Sequence, residues 1–109
     1  MTSNDAVVVV ATAEAAAGQE EKVEQAFRTA IPAVHAEPGC ELYALHRDSR
    51  SPSTFVMVEK WASPDALRTH AKGAALAELG AALEGLLAAP LKVQTLTPLP
   101  GGDARLGAV

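Results

Sequence analysis

The order of the predicted elements is the feature that most restricts how this 109-residue chain can fold. Apolar runs and helical spacing predict four strands and two helical regions, the second of them interrupted by Gly73. In chain order these are a strand at 6–13, a helix at 19–36, strands at 40–48 and 54–61, helical segments at 63–71 and 74–88, and a strand at 91–97. The turn at 49–53 contains Pro52 and is expected to join the second and third strands as a hairpin.

This order predicts the α+β class and the ferredoxin-like βαββαβ arrangement, a four-stranded antiparallel sheet with its helices on one face. The other face would then meet water, and an antiparallel sheet in that position normally alternates apolar and polar residues. Residues 7–11 and 55–58 are instead apolar on both sides of their strands. We therefore expect a homodimer that packs sheet against sheet.

Composition limits the domain count and the class of partner. The length fits one domain, here 1–97, followed by a tail at 98–109 whose Pro and Gly residues suggest mobility.

The net charge is −4 and no basic block occurs, which argues against nucleic acid and anionic membranes as partners. The longest apolar run near the start, 7–13, is too short to cross a bilayer, and the lone Cys40 cannot form an internal disulfide. A cytoplasmic location is expected.

The strand at 54–61 brings a carboxylate into apolar surroundings. Alternation along a strand places Phe55, Met57, Glu59 and Trp61 on one face. An unpaired carboxylate there would be costly, so Glu59 either pairs with a cation such as Arg47 across the hairpin or has a functional use. The sequence leaves both possibilities open.

His70 is the best candidate for a base. It follows Leu67 by three residues and Ala66 by four, which places it on the inner side of the short helix. It is either a buried histidine bonded to a backbone carbonyl or a group that accepts a proton near neutral pH. The three histidines and Cys40 lack the spacing of a zinc site, so no metal is expected.

Several of these residues together resemble the antibiotic biosynthesis monooxygenase (ABM) domain family. The resemblance covers about residues 6–97 and rests on EPGC at 37–40 followed by Tyr43, TFVMVEKW at 54–61, and His70 nine residues after Trp61. It implies a dimeric α+β barrel, an oxidoreductase activity that adds oxygen to phenols or quinols with O₂, and no cofactor. It implies His70, Glu59 and Trp61 as catalytic residues and Tyr43 as a residue that binds substrate. We also expect Phe27, Phe55 and Leu79 to bind substrate.

Two departures from the family pattern bear on the alternatives. Many relatives carry a second His followed by Phe where this chain has Ala75 and Leu76, and haem-degrading relatives carry an Asn on the first strand, where this chain has only Val, Ala and Thr. The primary hypothesis is thus a cofactor-independent monooxygenase for a small aromatic substrate. The alternatives are a non-catalytic dimer that binds an apolar small molecule and a protein that binds or degrades haem through His70.

Overall fold

A computed structural model of the protein describes residues 5–109 and confirms the ferredoxin-like α+β fold. Residues 1–4 lie outside the described part, so the first few residues of the predicted 1–97 domain are not covered. The elements are β1 (Val7–Glu14), α1 (Glu20–His35), β2 (Cys40–Asp48), β3 (Ser51–Trp61), α2 (Pro64–Ala71), α3 (Ala74–Leu83) and β4 (Lys92–Leu96). The strands join in the order β2-β3-β1-β4, and all neighbouring strands are antiparallel.

The strand register separates an inner face, under the helices, from an outer face. Glu59 pairs with Val9 on one side and with Tyr43 on the other, so these three side chains share the inner face. The predicted alternation of β3 is confirmed, because Phe55, Met57, Glu59 and Trp61 are all buried. Buried side chains of α1 and α3, among them Val23, Phe27, Leu79 and Leu83, complete the core.

Local signals fix the start of α2. The Ser63 hydroxyl accepts a hydrogen bond from the Ala66 N–H at 3.1 Å, and Pro64 occupies the first helical turn, as the sequence predicts. Gly39, in the turn before β2, has a positive φ of 83°, and a Cβ atom there would lie 2.5 Å from the Ala66 Cβ. A glycine therefore lets this turn approach α2 closely.

Two predicted boundaries were wrong. The third helical segment ends at Leu83 rather than near Ala88, because Gly85 takes a positive φ of 78°. The turn predicted at 49–53 is also shorter, since β3 already begins at Ser51. Asp48 makes this tight connection possible, as its carboxylate accepts a hydrogen bond from the Arg50 N–H at 2.8 Å.

The outer face carries apolar side chains that the helices do not cover. Val10 and Val58 are paired at its centre, Val56 lies next along β3, and all three are only half-buried. This pattern agrees with the predicted sheet-to-sheet dimer, which stays a prediction.

The tail contains a turn in which Asp103 accepts hydrogen bonds from the Arg105 and Leu106 N–H groups, and its predicted mobility is likewise untested. Between residues 5 and 109, no helix is long and apolar enough to cross a bilayer.

Candidate active site

His70 lies on the buried side of α2, and its ring is held by a carboxylate. Only 4% of its surface is exposed, and its Nδ1 lies 2.7 Å from Oε1 of Glu37. An ionised carboxylate can only accept hydrogen bonds, so Nδ1 carries the proton and donates a hydrogen bond to Glu37. In that tautomer the lone pair is on Nε2, which leaves this second nitrogen as the basic atom of the ring.

Glu37 reaches His70 from the turn between α1 and β2. The turn is fixed by hydrogen bonds from the Glu37 N–H to the Val34 carbonyl, at 3.0 Å, and from the Cys40 N–H to the Glu37 carbonyl, at 3.2 Å. Gly73, between α2 and α3, leaves room for the other carboxylate oxygen, because a Cβ atom at that position would lie 3.2 Å from Glu37 Oε2. A glycine thus permits the close approach of the carboxylate to the end of α2.

Trp61 contacts both His70 and Glu59. Its indole stacks on the His70 ring with centroids 4.4 Å apart and an interplanar angle of 26°. The indole N–H donates a hydrogen bond of 2.9 Å to Oε1 of Glu59, which lies two residues earlier on the same face of β3. Trp61 is fully buried, so one side chain positions both the imidazole and a carboxylate.

Burial alters the acidity of two neighbouring groups. It raises the pKa of Glu59 above its usual 4.5, against the opposing effects of the Trp61 hydrogen bond and of His70. It also raises the pKa of Tyr43 well above its ordinary value, with smaller contributions from the charges of Glu59 and Glu37. The Tyr43 ring meets His70 edge-on, with centroids 5.8 Å apart. Its hydroxyl is therefore suited to donate a hydrogen bond and not to lose its proton.

These residues border a cavity of about 340 Å³ between the sheet and helices α2 and α3. His70, Glu59, Tyr43 and Thr95 provide its polar groups, and the remaining wall is apolar. Val93 of β4 lies at the rim and is 58% exposed, so the cavity is reached along this edge of the sheet. The apolar lining consists of Val9, Ala11, Phe27, Met57, Leu67, Ala71, Leu76, Leu79, Leu91 and Val93.

The structure brings most, but not all, of the predicted site residues to this cavity. His70, Glu59, Tyr43, Phe27 and Leu79 line it. Trp61 stacks on His70 but is absent from the cavity wall, so it can act on a bound molecule only through its neighbours.

Phe55 lies apart from this site. It is four residues before Glu59 on β3, about 13 Å along the strand, and borders a different groove. The suggested ion pair between Glu59 and Arg47 was wrong, because the register places Tyr43 opposite Glu59 and Arg47 opposite Phe55. Arg47 instead pairs with Glu24.

Glu37 is the site residue that the sequence analysis did not identify. It is 33 residues from His70 along the chain, and nothing in the local pattern indicates which partner its carboxylate meets. The available signal was its place at the start of EPGC, immediately before a turn that must leave α1 and enter β2. A carboxylate fixed in a rigid turn at the edge of the helical layer can reach a side chain of the next helix.

Comparisons with known proteins agree with this fold and place the chain in a family. The family model for antibiotic biosynthesis monooxygenase matches residues 6–82. The structure of PA3566 from Pseudomonas aeruginosa is similar over 91% of this chain and 99% of its own, with 29% identity and a TM-score of 0.83. A candidate antibiotic biosynthesis monooxygenase from Caulobacter crescentus is similar over 85% of this chain and 89% of its own, with 28% identity and a TM-score of 0.80.

A third structure, Rv0793 from Mycobacterium tuberculosis, shares the fold at 24% identity, with 90% of this chain and 99% of that one covered and a TM-score of 0.83. No curated relative matches the chain significantly. Fold and site together define a small α+β protein in which a carboxylate–imidazole pair faces an apolar cavity. Since the family model covers most of its length, the chain belongs to the antibiotic biosynthesis monooxygenase family.

Proposed function

We propose that this protein is a monooxygenase that oxidises a small phenol or quinol with O₂ and without a bound cofactor. The observation that carries the proposal is the buried His70, oriented by Glu37 and facing a largely apolar cavity of about 340 Å³. Family membership supports the class of reaction. The residues named below give that class a specific mechanism in this chain.

His70 acts as the general base. Because Nδ1 donates to Glu37, Nε2 accepts the proton of the substrate hydroxyl, and Glu37 stabilises the imidazolium that forms. General base catalysis of this kind is worth about 10²–10⁴ in rate. The product of the step is a phenolate, whose ring is electron-rich enough to reduce O₂ directly.

The electrons and atoms balance without any other reactant. A quinol gives up all the electrons that reduce O₂, one oxygen atom replaces a ring hydrogen, and the other oxygen atom leaves as water. The organic product is a hydroxyquinone. The protein supplies a base, alignment of the ring and a site that excludes bulk water.

The remaining polar groups orient the substrate ring. The Tyr43 hydroxyl donates a hydrogen bond to the developing phenolate, and Glu59, held by the Trp61 indole, accepts one from a second hydroxyl of the ring. Among the described residues that line the cavity there is no Lys or Arg. Neutral quinols are therefore better substrates than their carboxylated analogues, whose charge would lie close to Glu59 without a counterion.

Oxygen consumption tests the proposal. Purified protein, freed of metal and flavin, is mixed with a panel of quinols, and O₂ uptake is followed together with the appearance of the quinone. The His70→Ala variant loses about 10²-fold or more of the turnover with the best quinol. Far-ultraviolet circular dichroism and a cooperative urea transition verify that the variant is folded, since the near-ultraviolet signal of Trp61 changes with the loss of the stacked His70 ring. Unchanged O₂ uptake in a folded His70→Ala variant rules out the mechanism.

The same preparation distinguishes the two alternatives. A non-catalytic binder would bind the quinol and quench Trp61 fluorescence, yet leave O₂ uptake at the uncatalysed rate. A haem-binding protein would give a Soret shift with haemin that His70→Ala abolishes. We expect no such His70-dependent shift, because the ring is 4% exposed and stands against the wall of a cavity of only about 340 Å³.

A further inference from the structure

A second groove, on the far side of α1 from α3, gathers two arginines over an apolar floor. It has a volume of about 360 Å³ and lies between α1 and the hairpin end of β2 and β3. None of the residues that line it borders the His70 cavity. We call it the arginine groove and define it by Glu24, Arg28, Ile31, Leu45, Arg47 and Phe55, with His46 at its edge.

One carboxylate holds both guanidinium groups in place. Glu24 accepts a hydrogen bond of 2.7 Å from Arg28 Nε through Oε2 and another of 2.7 Å from an Arg47 terminal nitrogen through Oε1. These bonds, from Arg28 first, lower the pKa of Glu24, so it stays ionised at neutral pH. Two positive charges are thus balanced by one negative charge, and the groove keeps an excess of one positive charge.

Most of the donors of the two arginines are left for a ligand. A guanidinium group carries five N–H donors, and the described side chains take one from each arginine. Arg47 is further oriented by the Phe55 ring, which lies 5.0 Å below its central carbon. Both guanidinium groups are therefore oriented before any ligand arrives, which reduces the entropy lost on binding.

The apolar floor of the groove indicates that the ligand has an apolar part as well as a charged group. Glu24, Arg28 and Ile31 follow one another at four and three residues on the same face of α1. Leu45 and Arg47 both lie on the inner face of β2. This brings Ile31, Leu45 and the buried Phe55 together below the charged groups. A hydrated inorganic ion would leave this apolar surface in contact with water.

We infer that the arginine groove binds a small organic carboxylate, with its carboxylate on Arg28 and Arg47 and its hydrocarbon part on Ile31 and Leu45. The planar fork of a guanidinium matches a carboxylate in a bidentate pair. This site is separate from the proposed active site in both position and ligand charge. An anion that the His70 cavity disfavours is the kind of ligand that the groove favours.

Benzoate is the probe, and benzyl alcohol is its neutral counterpart. Amide resonances of ¹⁵N-labelled protein are followed during titration at low ionic strength, where exposed charges are least screened. Benzoate shifts amides of Ile31, Leu45 and Arg47, whereas benzyl alcohol leaves them in place. Inorganic phosphate, which lacks an apolar part, binds at least about tenfold more weakly than benzoate.

Variants test whether the arginines are responsible. Arg47→Gln raises the Kd for benzoate about tenfold or more, and Arg47→Lys, which keeps the charge but not the fork, raises it less. Arg68→Gln is the matched control, since Arg68 is an exposed arginine paired with Asp65 on α2. Its Kd stays within about twofold of the parent value. Binding that Arg47→Gln leaves unchanged, shifts confined to amides around Tyr43 and His70, or phosphate binding as tight as that of benzoate would overturn the inference.

Discussion

The Glu37 carboxylate determines which nitrogen of His70 carries a proton. Glu37→Gln tests this, because it replaces only one carboxylate oxygen by an NH₂ group. Glu37→Gln keeps the size of the side chain and can still accept from Nδ1, but it no longer stabilises an imidazolium. We expect kcat for quinol oxidation to fall about 10–100-fold while KM changes little. The measurement is steady-state O₂ uptake over a range of pH.

Glu41→Gln is the control for this experiment, because Glu41 is an exposed glutamate four residues along whose nearest cation, Lys60, is 3.9 Å away. It should retain the parent kcat. A merely structural role for Glu37 would lower stability but leave the pH profile unchanged. An unchanged pH profile in Glu37→Gln would therefore contradict the positioning role.

Glu59 gives a prediction about stability and pH. Its pKa in the folded protein is raised by burial, so the folded state binds more protons than the unfolded state over the interval that begins near its usual value of 4.5. The free energy of unfolding therefore falls as pH rises through that interval. Glu59→Gln cannot titrate, yet its amide oxygen still accepts from the Trp61 indole. We expect the variant to be more stable than the parent at about pH 7.

The advantage of Glu59→Gln should shrink as the pH is lowered to about 4, where the parent carboxyl is mostly protonated in both states. Urea unfolding monitored by Trp61 fluorescence at the two pH values measures the difference. Equal stabilisation at both values would show that the gain comes from packing and not from the charge.

At the scale of elements, the turn between α1 and β2 connects the fold to the site. Gly39 combines a positive φ of 83° with a Cβ position only 2.5 Å from Ala66 Cβ. Gly39→Ala therefore adds a steric clash with α2 to the backbone strain, and we expect it to lose about 2–4 kcal/mol of stability. Gly18→Ala is the matched control, since Gly18 has a φ of 82° with nothing within 4 Å of its Cβ position.

Gly18→Ala should cost only the strain of the left-handed backbone, about 1 kcal/mol. Urea denaturation of both variants isolates the contact with α2 as the difference between them. Because the same turn carries Glu37, Gly39→Ala should also reduce turnover in the fraction that is folded, whereas Gly18→Ala should not. Equal destabilisation by the two substitutions would show that the approach of the turn to α2 is not tight.

The sequence allows the elements to be predicted better than the contacts between them. Alternation on β3 correctly placed Glu59 and Trp61 on the inner face, and helical spacing correctly placed His70 on the inner side of α2. Those are local patterns, which one strand or one helix determines by itself. The Glu37–His70 pair depends instead on how far a turn approaches a helix 33 residues away in the chain.

Strand register explains the other predictions that failed. The Arg47–Glu59 pair required knowledge of which residues of β2 and β3 face each other, and alternation alone does not supply this. Phe55 has the right face but is too far along β3 to reach the cavity. The end of α3 depended on whether Gly85 would take a left-handed conformation, which the absence of a Cβ atom permits but does not require.

At the scale of the whole molecule, the uncovered outer face predicts association. Val58 is at its centre, on β3, with Val10 beside it on β1 and Ala44 beside it on β2, and all three are half-buried in the single chain. Packing a second sheet against them removes this apolar surface from water, which stabilises a dimer. We expect size-exclusion chromatography with light scattering to give twice the chain mass of 11.2 kDa.

Val58→Asp places a carboxylate at the centre of this face, where a dimer would bury it without a partner. We expect the variant to have the mass of a single chain at concentrations where the parent is dimeric, a weakening of association by about 10²-fold or more. Leu99→Asp is the control, because Leu99 is 89% exposed in the tail, and it should leave the mass unchanged. A parent protein with the mass of one chain, or a dimeric Val58→Asp variant, would exclude association through this face.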